Sequence, residues 1–206
     1  MENGIREMNI LGREKIMNVK RILLLIPSLA FLLPTILVSA HSDHYNPNGY
    51  AGAQNLKYWR DASVSSTGYH NRADTAYATW NNISSKVAIS RVTSESTYYS
   101  IVVYAGTISG STVYAVADYW TYGFFGWSQV NPGDARDRSR IRLNTPQMNT
   151  LTSAESTDVI IHEFGHALSL RHNDDSGASV MKEYELTTYG SPQQTDKDHL
   201  KQKWGN

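Results

Sequence analysis

The feature that most constrains this chain is a segment from Thr152 to Leu170, which combines helical apolar spacing with two histidines one turn apart. Thr152 and Glu155 have the spacing of a capping box, which satisfies two backbone amides at a helix start. His162 and His166 are four residues apart and so share one helical face. The helix is expected to bury a broad apolar face made of Val159, Ile160, Phe164, Ala167 and Leu168.

Glu163 follows His162 and completes an H-E-x-x-H pattern with His166. Two imidazoles at this spacing can bind one metal ion, and Glu163 lies beside them, within reach of a water on that metal. Zinc with three protein ligands keeps a position for water and lowers its pKa to roughly 7. A carboxylate can take the proton as that water attacks a carbonyl. Two exposed helix histidines without a metal are the alternative interpretation.

His172, ten residues after His162, is the expected third ligand, and it weakens that alternative. Asp174 or Asp175 could take its place, because zinc also accepts carboxylate ligands. The chain has no cysteine, so thiolate ligands, disulfides and a cysteine nucleophile are excluded. Calcium is a second candidate cofactor, since several loop residues offer oxygens, although no EF-hand spacing is present. Those residues are Asp118, Asn131, Asp134, Asp174 and Asp175.

The stretch His162-Glu163-x-x-His166-x-x-Ser169-x-x-His172 resembles the metzincin signature H-E-x-x-H-x-x-G-x-x-H. The signature's glycine lets the chain turn sharply after the helix, so that the third histidine can come back to the metal. Ser169 stands at that position. A serine held in the left-handed conformation would cost roughly 1–2 kcal/mol.

Residues 179–181, Ser-Val-Met, resemble the Met-turn that places a methionine beneath the zinc in that clan. Met181 as an ordinary core methionine is the alternative. The spacing is similar to that of the matrixin (matrix-metalloproteinase-like) branch, in a small bacterial-type secreted form. Tyr184 lies three residues past the methionine, whereas some metzincins carry a tyrosine two past it, so we interpret Tyr184 as a packing residue.

The resemblance implies an α+β, metzincin-like (zincin) domain with a mixed twisted β-sheet, an active-site helix and a C-terminal helix. It implies a zinc metalloendopeptidase whose metal ligands are His162, His166 and His172 and whose catalytic base is Glu163. The expected partner is a protein or peptide substrate, and we expect a monomer. The alternative is a secreted zinc-binding toxin or surface-binding module with the same fold and little turnover. Glu163 argues against it, because structural zinc sites are closed and need no base.

Periodicity predicts the other elements more coarsely. Strands are predicted over Asn55–Arg60, Val87–Val92, Tyr98–Ala105, Thr112–Asp118 and Arg140–Leu143, and helices over residues 71–82 and from Thr195, capped by Asp198. The third and fourth strands are predicted to pair through a turn. Thr112–Asp118 is the expected edge strand, to which an extended peptide could add. Residues 119–137 are predicted to form a long loop.

That loop contains one biased run, and a second begins near its end. Its aromatic residues either line substrate subsites or pin the loop to the core, and the second interpretation is favoured. They are Tyr119, Trp120, Tyr122, Phe124, Phe125 and Trp127. The alternating arginines at 136, 138, 140 and 142 are predicted to form a solvated face.

Residues 1–40 read as an N-terminal extension and a secretory signal peptide, and residues 41–206 as the catalytic domain. Basic residues precede an apolar stretch, Ile22–Val38, that ends in small residues suited to cleavage after Ala40. An uncleaved membrane anchor is the alternative, since this stretch is near the lower length limit for a span. We expect a secreted, extracellular protein without stable membrane insertion after signal cleavage. The 19 basic and 19 acidic side chains argue against a nucleic-acid partner.

Overall fold

A computed structural model describes residues 44–96 and 98–206 of the chain. The predicted extension and signal segment, residues 1–40, therefore lies outside the described residues. Within the described part, no helix is long and apolar enough to cross a membrane.

The described residues form an α+β fold with one mixed six-stranded sheet and five helices. The strands are β1 (Ala53–Arg60), β2 (Val87–Arg91), β3 (Ser100–Gly106), β4 (Ala115–Gly123), β5 (Gly126–Val130) and β6 (Arg138–Asn144). The helices are α1 (Ala62–Ser66), α2 (His70–Thr79), α3 (Thr145–Met148), α4 (Ser153–Ala167) and α5 (Gln194–Trp204).

The strand order in the sheet is β2-β1-β3-β6-β4-β5. Strands β1, β2, β3 and β6 run parallel, and β4 runs antiparallel to both β6 and β5. The prediction that the third and fourth strands pair through a turn is therefore wrong, because β6 lies between β3 and β4. Seven residues of β6 pair with β3, Arg138 through Asn144, so a segment predicted as a short strand is central to the sheet.

The prediction of a long loop over residues 119–137 is also wrong. β4 continues to Gly123 and pairs with β5 in a hairpin that joins Tyr119 to Val130 and Gly123 to Gly126. Tyr, Trp and Thr favour extended strands, and two glycines frame a two-residue connection, so the aromatic content here marks strands rather than a loop.

The predicted helix boundaries need small corrections. Helix α2 ends at Thr79, three residues before the predicted end. Helix α5 is capped by Gln193 and Asp196, not by Thr195 and Asp198, because the Asp196 carboxylate accepts a hydrogen bond from the Gln193 amide at 2.7 Å.

The core lies between the sheet and helices α2 and α4, which pack on each other. Trp80 is fully buried, and its indole nitrogen donates a hydrogen bond to the Ile161 carbonyl at 3.0 Å. The ring of Tyr58 from β1 meets Phe164 of α4 edge-on at 5.4 Å between centroids. These contacts fix the rotation of α4, so its histidines face away from the core.

Candidate metal centre

Helix α4 begins as the sequence predicts. Thr152 Oγ1 accepts a hydrogen bond from the Glu155 amide at 3.2 Å, and Glu155 Oε2 accepts one from the Thr152 amide at 2.8 Å. The helix ends at Ala167 rather than near Leu170, because Ser169 adopts a φ of 74°. The left-handed serine inferred from the signature is thus present.

Three imidazoles converge beside the last turns of α4, two from the helix and one from the loop that follows it. Potential ligand nitrogens of His162, His166 and His172 all lie within 4.8 Å of one another. The Nε2 atoms of His166 and His172 are 3.1 Å apart. Nitrogens on a tetrahedral zinc are about 3.3–3.4 Å apart, given Zn–N distances of about 2.0–2.1 Å. The separation of the His166 and His172 nitrogens is thus close to that of two ligands on one zinc ion.

The other nitrogen of each ring faces an acceptor. Nδ1 of His162 lies 2.8 Å from the Val180 carbonyl, and Nδ1 of His166 lies 2.9 Å from the Leu170 carbonyl. Nδ1 of His172 lies 3.3 Å from a carboxylate oxygen of Glu183. We assign the proton to Nδ1 in each ring from these partners, so each Nε2 lone pair points toward the common centre. Lone pairs 3.1 Å apart repel each other, and a cation between them removes that repulsion.

Burial keeps the two helix imidazoles neutral. It lowers the pKa of His162 to about 4. The pKa of His166 lies well below its ordinary value, chiefly through burial and secondly through His162. Metal ligation requires the neutral form of histidine, so this environment suits ligands.

Glu163 is buried beside the three rings, with 6% of its surface exposed. Among the described residues, none donates a hydrogen bond to its Oε2 atom. Burial raises the pKa of Glu163 to about 8, and the charge of Asp118 contributes. A buried, unpartnered carboxylate is costly, and such groups concentrate at functional sites.

Met181 packs directly beneath the helix. It is 1% exposed, and a Cβ added to Gly165 would lie 2.4 Å from its sulfur. Asp196 of α5 holds the preceding turn, since its carboxylate accepts hydrogen bonds from the Ser179 hydroxyl and from the Val180 amide, the latter at 2.9 Å. The Val180 carbonyl in the same turn is the acceptor for His162.

The histidines and Glu163 line an open cleft of about 1460 Å³. One wall is residues 112–117 and the other includes residues 182–187. Residues Ala115–Asp118 pair with β6, whereas β5 begins to pair with β4 only at Tyr119. The outer edge of residues 115–118 thus has no strand partner among the described residues. Of the predicted edge strand, Thr112–Asp118, only this stretch is both part of the sheet and unpaired on its outer side.

The structure brings His172 to the helix histidines and not the acidic pair. Asp174 accepts a hydrogen bond from the Glu183 amide at 2.9 Å, and Asp175 pairs with His44 at 2.9 Å. Within the described part of the chain, the three histidines are the only converging group of three or more His, Asp or Glu side chains. The loop residues proposed for calcium do not join into such a group.

The structure also places Tyr184 and the aromatic run differently from what the sequence predicts. Tyr184 lines the cleft and is 87% exposed, so the expectation that it packs in the core is wrong. Of the aromatic run, only Tyr119 lines the cleft. Phe124 and Phe125, at the tip of the β4–β5 hairpin, are almost fully exposed, so they neither line the cleft nor pin the chain to the core.

The arginine string does not form a solvated face. Arg136 and Arg138 are buried, and Arg142 forms an ion pair with Asp118 at 2.6 Å. The predicted solvated face is absent because β6 is buried along most of its length. Its long cationic side chains therefore lie against aromatic rings instead of in solvent. Arg138 lies over Trp127 and Arg140 lies over Trp120, at 4.0 and 4.3 Å from the ring centroids.

Sequence reasoning missed the segment that begins at His44. Nδ1 of His44 lies 3.0 Å from the His172 carbonyl, and the His44 carbonyl accepts a hydrogen bond from the Arg171 amide at 2.7 Å. Tyr45 forms an isolated antiparallel bridge with Leu170. The start of the described chain is thus paired with the loop that carries the third histidine. No local pattern in the sequence signals this pairing.

No protein-family model matches this chain, and no curated protein matches it.

Proposed function

We propose that this chain is a secreted zinc metalloendopeptidase of the matrixin-like metzincin type, which hydrolyses internal peptide bonds of extracellular proteins. One observation carries the proposal. Ring nitrogens of His162, His166 and His172 converge, each ring has its Nδ1 atom against an acceptor, and the group lines an open cleft with Glu163, whose buried Oε2 atom has no hydrogen-bond partner among the described residues. The turn at residues 179–181 supports the resemblance to a Met-turn, because Met181 lies directly under the helix.

The residues divide the chemistry between them. His162, His166 and His172 would hold the zinc, which supplies Lewis acidity toward a peptide carbonyl and a water of lowered pKa. Glu163 Oε2 would accept the proton of the attacking water and pass it to the leaving amine nitrogen. Its position favours this role, because Glu163 is buried in the cleft beside the histidines and its Oε2 atom has no hydrogen-bond partner among the described residues.

Substrate binding follows from the free edge of β4. Residues 115–117 line the cleft and lie on the edge of β4 that has no strand partner among the described residues, where an extended peptide can add as a further strand. Such binding reads the backbone of the substrate, so it suits cleavage within unfolded or extended segments of protein.

The test is metal analysis of the secreted protein combined with a casein hydrolysis assay. We expect about one zinc per chain, loss of hydrolysis after chelation and its return when zinc is restored. Glu163→Gln should keep the zinc and lose activity by about 100-fold or more, because general base catalysis typically contributes about 10²–10⁴-fold.

Glu155→Gln is the matched control, since it makes the same chemical change on the same helix far from the cleft. It should retain activity. Hydrolysis that persists in metal-free protein would contradict the proposal. Wild-type protein that binds zinc but hydrolyses no peptide bond would instead favour the binding-module alternative.

A further inference from the structure

The turn that follows α4 is held in a conformation that residues with a Cβ atom rarely adopt. Ser169 is fully buried with a φ of 74°, and its amide donates a hydrogen bond to the His166 carbonyl at 2.9 Å. Glycine is the residue that enters this region freely. A buried serine there needs contacts that favour this conformation over others.

Arg136 provides such contacts from the segment that precedes β6. Its side chain is 3% exposed. Its Nη2 atom donates to Ser169 Oγ at 2.6 Å and to the Ala167 carbonyl at 3.0 Å, and it lies 3.4 Å from the His166 carbonyl. One guanidinium nitrogen therefore contacts the last carbonyls of α4 and the side chain of the left-handed residue.

No ion pair among the described residues includes Arg136. Its charge faces the carbonyl end of α4, where the helix dipole favours a cation. The guanidinium lies over the rings of Tyr119 and Tyr50, at 4.3 and 5.1 Å from their centroids. Burial lowers the pKa of Arg136, whereas the two tyrosines oppose that shift.

The turn at Ser169 fixes the positions of two metal-centre groups. Leu170, the next residue, supplies the carbonyl that faces Nδ1 of His166 at 2.9 Å. His172 follows two residues later and meets His166 at 3.1 Å between Nε2 atoms. A turn that relaxed toward a right-handed conformation would displace both the acceptor of the second ligand and the third ligand.

We propose that Arg136 is a positioning residue for the metal centre, which holds the left-handed turn at Ser169 through the serine hydroxyl and the carbonyl groups at the end of α4. This inference rests on the proposed zinc site. Where glycine occupies such a turn, the lack of a side chain permits the left-handed conformation. In this chain, contacts from a buried cation stabilise that conformation for a serine.

Arg138 offers a matched control. It is also buried at 6%, lies over an aromatic ring, and donates to Ser100 Oγ at 3.2 Å and to the Ser96 carbonyl at 2.8 Å. Unlike Arg136, it also forms an ion pair, with Glu95. Its partners lie in and before β3, away from α4 and from the turn. Loss of Arg138 therefore removes a comparable buried cation without altering the metal centre.

The experiment measures the zinc dissociation constant by competition with a chromophoric chelator, and the visible absorption of the cobalt-substituted protein. Thermal unfolding of the metal-free protein is measured in parallel. Arg136→Ala should weaken zinc binding about 10–100-fold, the usual effect of losing an outer-sphere partner, and should alter the cobalt spectrum. Arg138→Ala should lower the unfolding temperature while zinc affinity stays within about twofold of wild type.

Ser169→Gly sharpens the test through a double-mutant cycle. Glycine adopts the turn without the clamp, so Arg136→Ala should weaken zinc binding less in the Ser169→Gly background than in wild type. Where Arg136→Ala fails to fold, Ser169→Ala removes the hydroxyl alone and should still weaken zinc binding by several-fold and alter the cobalt spectrum.

Two negative outcomes are distinguishable. Wild-type protein that binds no zinc contradicts the proposed function and removes the premise of the clamp. Wild-type protein that binds zinc, together with an Arg136→Ala or Ser169→Ala variant of unchanged affinity and cobalt spectrum, overturns the positioning role alone.

Discussion

The two ends of helix α4 are stabilised in different ways. At the first end, Thr152 and Glu155, three residues apart, satisfy each other's backbone amides. At the last end, the terminal carbonyls meet Arg136, which lies 30 and 31 residues earlier in the chain. The first end is therefore encoded within four residues, whereas the last end forms only when distant segments have come together.

The candidate metal centre lies at the end that depends on tertiary structure. His162 and His166 are placed by the helix itself, but His172 is placed by the turn and by the segment at His44. A pair of histidines can therefore be expected wherever the helix forms, and the third ligand only in the complete fold. Substitutions at the last end of α4 should therefore change metal affinity, whereas substitutions at the first end should change only the stability of the fold.

The largest expected effect is that of His172→Ala. Removing one of three protein ligands should weaken zinc binding by more than the roughly 100-fold that loss of an outer-sphere partner can cost. Asp174→Ala and Asp175→Ala are controls from the same loop and should weaken zinc binding much less than His172→Ala, because their carboxylates contact the Glu183 amide and the His44 ring rather than the converging histidine nitrogens. Zinc retained in His172→Ala but lost in either aspartate variant would overturn the third-ligand assignment.

A smaller effect is expected at Gly165, between the two helix histidines. Replacing a mid-helix glycine with alanine ordinarily stabilises a helix by about 1 kcal/mol. Here the new Cβ would lie 2.4 Å from the sulfur of Met181 and 3.0 Å from the ring of Trp80. Overpacking typically costs about 1–3 kcal/mol, so we expect Gly165→Ala to lower the free energy of unfolding by about 1 kcal/mol net.

Urea unfolding of Gly165→Ala, Met181→Ala and the double variant checks this expectation. The two changes should be less than additive, since removing the methionine side chain relieves the clash. A stabilised Gly165→Ala protein would mean that the methionine moves aside freely and does not pack closely beneath the helix.

The sequence predicted what depends on short separations. The capping box, the helix through His162 and His166, and strands β1 and β2 could be identified because their signals recur within a few residues. The insertion of β6 between β3 and β4 could not, because strand pairing depends on contacts across more than thirty residues.

The candidate site shows the same limit. Spacing in the sequence picks out the three converging histidines and Glu163, whereas it places Arg136 wrongly on a solvated face. One signal was available for Arg136. The metzincin signature that this stretch resembles has glycine at the position of Ser169, so a serine there implies a left-handed turn that other contacts must stabilise. A buried hydrogen-bond donor near the serine hydroxyl is one such contact.

The smallest expected effect is at the other end of α4. Thr152→Ala removes the hydroxyl of the capping box and should lower the free energy of unfolding by about 1 kcal/mol, the usual effect of losing an N-cap. Zinc affinity should stay within about twofold of wild type, because the helix turn that carries the histidines is more than two turns away and has its own supports. Urea unfolding and chelator competition measure the two quantities on the same preparations.

Thr157→Ala is the control for Thr152→Ala, since it removes a threonine hydroxyl from the middle of the same helix, where it donates only to the Ser153 carbonyl. Alanine has the higher helix propensity, so Thr157→Ala should be neutral or slightly stabilising.

The pKa of Glu155 is lowered by hydrogen bonds from the hydroxyl and amide of Thr152. The stability that Glu155 contributes through the capping box is therefore fully present above the ordinary carboxyl pKa and is lost as pH falls through the lowered pKa. The difference in the free energy of unfolding between wild type and Thr152→Ala should consequently narrow in acid. A Thr152→Ala protein that lost zinc affinity as Arg136→Ala is expected to would show that the two ends act as one unit, and the distinction between a locally encoded start and a tertiary end would fail.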